Sequence, residues 1–215
     1  MLADLPLRYG IGTGRHYSDI GGGMLTGVIV ERATGLRLDE YLRRVVYGPL
    51  GMTDTGYTPD PSLRHRLAAT SLGNPYEYHM VATGSPYPVA DDLDLAEFAW
   101  WRDYTLLGEA NDGNAWYEWQ GVAGHAGLFS TARDVAIFCQ AVNNGGGYGN
   151  ARLASPQTLA SFLVEPYDAG QAVSFRSTAC RARHARRTGS EASVMAASPG
   201  PSSCSTRAAT SSWSF

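Results

Sequence analysis

The 215-residue sequence contains no lysine; all 17 of its basic residues are arginines. Any mechanism that needs a lysine amine within these residues is therefore excluded, including a glycine loop that cradles phosphate ahead of a lysine. Cysteine is scarce as well. Of Cys139, Cys180 and Cys204 only Cys139 lies in a well-patterned segment, so no disulfide framework is expected. No apolar run approaches the roughly 20 residues that a bilayer span requires. The opening MLADLPLRYGIG lacks a basic stretch followed by an apolar core. It does not read as a signal peptide, and the chain as given is expected in the cytoplasm. A net charge of −3 implies no general attraction to nucleic acid or to a membrane surface. His16, His65, His79, His125 and His184 are scattered, and no two flank an acid at helical i, i+4 spacing. A metal site is not expected, and nothing in the sequence asks for a cofactor.

What is present is enough for one domain of ordinary size with normal apolar content, 44% of residues. Ser18 or Asp19 can cap a helix from about Ile20 to Thr34, ended by Gly35 in the left-handed conformation. Met24, Leu25, Val28 and Ile29 would be its buried stripe. Gly21, Gly22 and Gly23 weaken its first turn, each by about 1 kcal/mol relative to alanine. Such a run makes sense where backbone must approach something closely. A second helix starts at Asp39 with Tyr41, Leu42, Val45 and Val46 inward, and Gly48-Pro49 stops it. Residues 53–95, rich in Pro, Gly, Thr and Tyr, read as a long irregular excursion. Residues 96–119 are aromatic with no clean period. Thr131 with Asp134 makes a capping box for a helix whose apolar side is Val135, Ile137, Phe138 and Val142. Ser155-Pro156 opens a further helix through about Val164.

Two segments together resemble one family. HYSDIGGGMLTGVIVERATGLRLDEYLRRVVYGPLGMTDTGY is similar to the stretch that begins with the Tyr-x-Asn motif of serine β-lactamase-like hydrolases. GVAGHAGLFSTARDVAIFCQAVNNGG is similar to a later helix-opening segment of the same proteins. The family includes class C β-lactamases, D-alanyl-D-alanine carboxypeptidases and related esterases. The resemblance covers roughly residues 5–165 and rests on the ordered set of motifs rather than on any one. It implies an α/β fold of the β-lactamase/transpeptidase type, of which this chain is a fragment holding mostly the helical region. It also implies a small-molecule ester, amide or β-lactam substrate, a serine in Ser-x-x-Lys that forms an acyl-enzyme, and a tyrosine that helps manage the serine's proton. It says nothing of oligomeric state.

Tyr17 falls at the tyrosine position and Asp19 at the asparagine position, where an acid replaces a neutral amide. Spacing alone makes Tyr17-Ser18-Asp19 a helix cap with an aromatic neighbour; the resemblance makes Tyr17 and Asp19 the catalytic pair. His125 in GHAG is a candidate for the substrate cleft and equally an ordinary structural histidine. Asp112 and Asn114, in the loop GEANDGNAW with Glu109 and Asn111, are substrate-facing candidates or plain turn residues. Trp100, Trp101, Trp116 and Trp119 could floor an acyl pocket, but such residues are more often core. Ser-x-x-Lys is absent, and only 16 residues precede Tyr17. The chain is therefore expected to be a truncated and inactive serine hydrolase. The alternatives are a non-catalytic ligand-binding module and a non-functional truncated product.

After about Phe175 the composition turns to Ser, Ala and Arg without periodicity, as in a disordered tail. The expected division is residues 1–170, a partial family domain, and 171–215, a low-complexity tail translated out of frame. Regrouping the back-translated bases of Val194–Phe215 by one frame can yield HGGFTGTELVLDPRRDLVVVV. That string holds a His-Gly-Gly-Phe-Thr-Gly segment and two β-rich stretches around an Asp-Pro turn. The codons of Ala196–Trp213 decide whether this frameshift is real.

Overall fold

The computed structural model describes residues 9–13, 23–85 and 101–163, with two short strand segments at 176–177 and 213–214. The chain divides into two compact units, one of residues 1–42 and 56–129, the other of residues 43–55 and 130–215. The helix cap at Ser18 or Asp19 and most of the expected disordered tail lie outside the described residues; where the tail is described, Arg176–Ser177 pairs antiparallel with Trp213–Ser214, which departs from the expected disorder.

In the first unit, α1 runs Leu25–Thr34 and ends at Gly35, whose φ of 70° is the left-handed stop expected there. A π-helical turn at residues 23–24 leads into it, and the expected start at Ile20 lies outside the described residues. The buried side of α1 differs from the expected stripe: Met24 and Gly27 are buried, whereas Leu25 and Ile29 are exposed. The reason is that α1 packs through glycine, so the large aliphatic side chains lie to either side of the contact. The Glu31 carboxylate accepts a 2.9 Å hydrogen bond from the Leu38 N–H and so supplies the start of α2, Leu38–Leu42. This bond closes the ATGLR turn between the two helices. β1, Gly56–Tyr57, pairs antiparallel with β2, Leu128–Phe129, in the register Gly56 to Phe129.

The excursion expected over residues 53–95 holds more order than its composition suggests. Asp60 accepts from the Ser62 N–H and opens a 3₁₀ helix, Pro61–Arg66. A third unit-one helix, Pro75–Thr83, is capped by Asn74 through a 3.1 Å bond from the Glu77 N–H, and Gly84 ends it. Asn-Pro, a turn signal in sequence, here serves as N-cap and first helical residue. The aromatic segment packs edge to face: Tyr78 and Trp101 ring centroids lie 5.4 Å apart. Ala110, Ala115 and Ala123 form a small-residue core, against which Trp116, Trp119 and Ala126 pack. Trp100 lies outside the described residues.

In the second unit the chain makes a π-helical turn, Arg43–Tyr47, followed by α3, Gly48–Leu50. Gly48-Pro49 does not stop the helix; Gly51, with φ of 69°, does. The wide turn brings the Arg43 carbonyl against Gly48 and resets the helical phase. Tyr47, Leu50 and Met52 are therefore buried, while Val45 is exposed and Tyr41, Leu42 and Val46 are half-buried. With the Pro75–Thr83 helix counted as α4, the next is α5, Ala132–Asn143, capped by Thr131, which accepts from the Asp134 N–H. The expected capping box is only half formed. The Asp134 carboxylate, 2% exposed, instead accepts from the Asp54 N–H at 2.9 Å and the Thr55 hydroxyl at 2.8 Å. α5 buries Cys139 and Ala141, with Val135, Ile137, Phe138 and Val142 half-buried. Cys139 is disulfide-bonded, although the sequence suggested no framework. β3, Gly147–Tyr148, pairs with β4, Ala151–Arg152, and Ser155 caps α6, Pro156–Phe162, as its Ser-Pro start predicts.

Candidate functional site

The third glycine of the run does what the sequence suggests such a run is for. A Cβ on Gly23 would fall onto the Cβ of His125 and within 2.6 Å of its Cα. A Cβ on Gly124 would strike the Gly23 carbonyl, and one on Gly27 would lie 3.3 Å from the Gly124 N. Gly23, Gly27 and Gly124 thus form a backbone-on-backbone contact that seats the start of α1 against the GHAG segment. His125 is held at the centre of that contact, with its side chain only 7% exposed.

His125 Nε2 lies 3.0 Å from Asp112 Oδ1, which joins two of the candidates from sequence into one pair. The same carboxylate oxygen accepts 2.8 Å from the Ala115 N–H at the start of the π-helical turn Asn114–Glu118. Burial pushes the Asp112 carboxyl up, but hydrogen bonds from His125 and from the Ala115 and Asn114 amides outweigh it, leaving a net depression. With Nε2 committed to Asp112, the two residues act as a unit rather than as independent contacts. Asn114 is exposed and is not drawn into that pair.

The loop that carries Asp112 is tied down from several directions. Arg102, 5% exposed, donates from Nη1 to the Ala110 carbonyl at 2.7 Å and from Nη2 to the Asn111 carbonyl at 2.9 Å. Its guanidinium also lies over the Trp116 and Tyr117 rings, 4.9 and 5.5 Å from their centroids. Glu109 stands 3.7 Å away and accepts from the Tyr104 hydroxyl. Asn74 Nδ2 donates to the Asn111 carbonyl as well, at 3.1 Å. Asn111 Nδ2 donates to Ser71 Oγ at 2.6 Å, and the Glu77 carboxylate accepts from the Gly113 N–H. From the other side, the Tyr57 hydroxyl donates to the Ala123 carbonyl at 3.1 Å. Burial, with a smaller contribution from the charge of Asp39, pushes the Tyr57 phenol up to about 12.

The structure thus brings together His125 and Asp112 and leaves Asn114 exposed nearby in sequence. Tyr17 and Asp19 lie outside the described residues, so the expected approach of Tyr17 to His125 does too. Sequence reasoning singles out neither Arg102 nor Gly23 as a site residue. The only hint of Arg102 is an arginine embedded in an aromatic run. Among the described residues no group of three or more His, Cys, Asp or Glu side chains is placed to hold a metal ion. No helix among them is long and apolar enough to cross a membrane.

Comparisons with known proteins agree with the motif pattern. The family model described as Beta-lactamase matches residues 1–182, so the chain belongs to the Beta-lactamase family, a family of serine hydrolases. A putative D-alanyl-D-alanine carboxypeptidase from Salmonella agona is 36% identical over 170 residues, covering 75% of this chain and 34% of that protein. The corresponding protein of Salmonella schwarzengrund is 37% identical over the same span and coverage. The chain therefore spans about a third of the length of the curated relatives it matches. A D-amino acid amidase from Ochrobactrum anthropi, solved with L-phenylalanine amide, aligns with a TM-score of 0.44 and 19% identity, covering 77% of this chain and 40% of that one.

Proposed function

We propose that these residues carry the substrate-side part of a serine hydrolase that transfers acyl groups from an ester, amide or β-lactam to water, and that they do not form an acyl-enzyme by themselves. The observation that carries the second half is the absence of lysine. A family mechanism built on Ser-x-x-Lys has neither its proton acceptor nor the paired nucleophile within this chain. In this reading Tyr17 handles a proton and Asp19 stands where the family's asparagine meets substrate or lysine. Asn114 faces substrate from the loop that Asp112 and His125 fix. The relatives' name, D-alanyl-D-alanine carboxypeptidase, makes a peptide ending in D-alanyl-D-alanine the first ligand to test.

The test is to incubate the chain with a fluorescent penicillin and, separately, with a fluorophosphonate probe, and to resolve it on a denaturing gel. No stoichiometric covalent band is expected, since loss of such a nucleophile costs many orders of magnitude in rate. A stoichiometric band would overturn the proposal. Calorimetric titration with a D-alanyl-D-alanine-ended peptide tests the binding half, and Asn114→Ala should weaken whatever is measured.

A further inference from the structure

We propose that Arg102 is a positioning residue for the His125–Asp112 pair, acting through the two peptide carbonyls that precede Asp112. The inference deepens the reading above and rests on it for its functional meaning. Its geometry stands on the described residues alone.

Arg102 is the one buried arginine among the described residues, and the family resemblance gives it no task. Its charge is paired with Glu109 at 3.7 Å, beyond hydrogen-bond distance. Its two terminal nitrogens hydrogen-bond two successive carbonyls, Ala110 at 2.7 Å and Asn111 at 2.9 Å. Those bonds orient the peptide planes on either side of Asn111, the second of which ends at the Asp112 nitrogen. The Asp112 side chain then leaves a backbone whose direction is already set, and its Oδ1 meets His125 Nε2 at 3.0 Å and the Ala115 N–H at 2.8 Å. Other groups hold the loop at single points: Ser71 on the Asn111 side chain, Asn74 on the Asn111 carbonyl and Glu77 on the Gly113 amide. Arg102 bridges both carbonyls ahead of the aspartate. A fork is needed for this. A guanidinium offers donors at two fixed positions, whereas an ammonium is a point charge on a flexible stem and cannot span two carbonyls in the same way. The guanidinium also lies over the Trp116 and Tyr117 rings, 4.9 and 5.5 Å from their centroids, while its terminal nitrogens reach the carbonyls.

The experiment reads the His125–Asp112 hydrogen bond directly, as the imidazole Nε2–H resonance in proton NMR of the full chain labelled with ¹⁵N-histidine. No substrate is involved, so failure of the proposed activity leaves this result intact, and the peptide titration above reports on that activity separately. Arg102→Lys keeps the charge and removes the fork. The Nε2–H resonance is expected to shift upfield and broaden toward its position in Asp112→Asn, while circular dichroism stays that of a folded chain. An unchanged resonance in folded Arg102→Lys would overturn the proposal. If Arg102→Lys fails to fold, the unsubstituted chain decides. The Arg102 Nη protons and the His125 Nε2–H should show hydrogen-exchange protection within about threefold of each other, as expected when one local opening exposes both. Protection of Arg102 at least roughly tenfold greater than that of His125 would mean that the pair opens without it, and the proposal fails.

Discussion

Replacing Gly23 with alanine tests the contact on which the candidate site is built. The added methyl would fall onto the His125 Cβ, 2.6 Å from its Cα and 2.8 Å from its nitrogen. A Cβ has no rotamer by which to escape, and the atoms it meets are backbone or the first side-chain carbon, so the start of α1 or the GHAG segment must move. Overpacking of this kind costs about 1–3 kcal/mol, and contacts this short put the cost near the top of that range. Alanine returns about 1 kcal/mol through helix propensity. The net expectation is a loss of about 2 kcal/mol, or roughly 4–8 °C in melting temperature for a chain of this size. Urea unfolding followed by far-ultraviolet circular dichroism measures it. Gly56→Ala is the control, because nothing lies within 4 Å of the position its Cβ would take and its φ is not in the left-handed region. The control should stay within about 0.5 kcal/mol of the parent, as surface substitutions usually do. If Gly23→Ala proves as stable as the control, the close approach of α1 to His125 is not real and the site built on it falls.

Two further outcomes follow from the polar contacts. Asp134→Ala strips the acceptor from the Asp54 N–H and the Thr55 hydroxyl at a site 2% exposed. It should cost about 2–3 kcal/mol in urea unfolding, and a change below about 0.5 kcal/mol would contradict the assignment. For Asp112 the folded-state carboxyl is depressed, so its contribution to stability is complete above the ordinary carboxylate value near about 4 and is lost as pH falls through the depressed value. The stability gap between Asp112→Asn and the parent should therefore be wide at neutral pH and shrink in strong acid. A gap that stays constant with pH would count against the paired carboxylate.

The parts of this fold that are legible in the sequence are those in which a side chain serves its own neighbourhood. Gly35 ends α1, Thr131 caps α5 and Ser155-Pro156 opens α6, and each device acts within about one helical turn. The family is legible for a related reason, since its motifs are runs of adjacent residues. What stays hidden depends on partners far apart in the chain. Asp134 looks like the second half of a capping box until Asp54 and Thr55 are seen to claim its carboxylate. Arg102 is unmarked in the sequence, and its role shows only where the Trp116 and Tyr117 rings lie beside it. The stripe of α1 is misplaced because hydrophobic periodicity weighs large side chains, and this helix packs where it has none. Tyr47 and Leu50 escape notice as inward residues because the π-helical turn shifts the phase on which a 3.6-residue pattern relies. The pairing of His125 with Asp112 joins two residues that the sequence marks out separately, with no sign that they meet.

The glycine contact also predicts how a saturation library of this chain would look. Gly35 and Gly51 are glycines of conformation, with φ near +70° and open space where a side chain would go. Asparagine, which tolerates the left-handed region, should survive selection at both. Gly23 and Gly124 are glycines of volume, and no choice of replacement helps them, because every substitution adds the same first carbon into occupied space. Their columns in the library should be thinned at every replacement, alanine and serine included. Gly27, where the nearest atoms lie at 3.2 and 3.3 Å, should admit alanine alone. Two kinds of glycine that look identical in the sequence would thus separate cleanly by what replaces them.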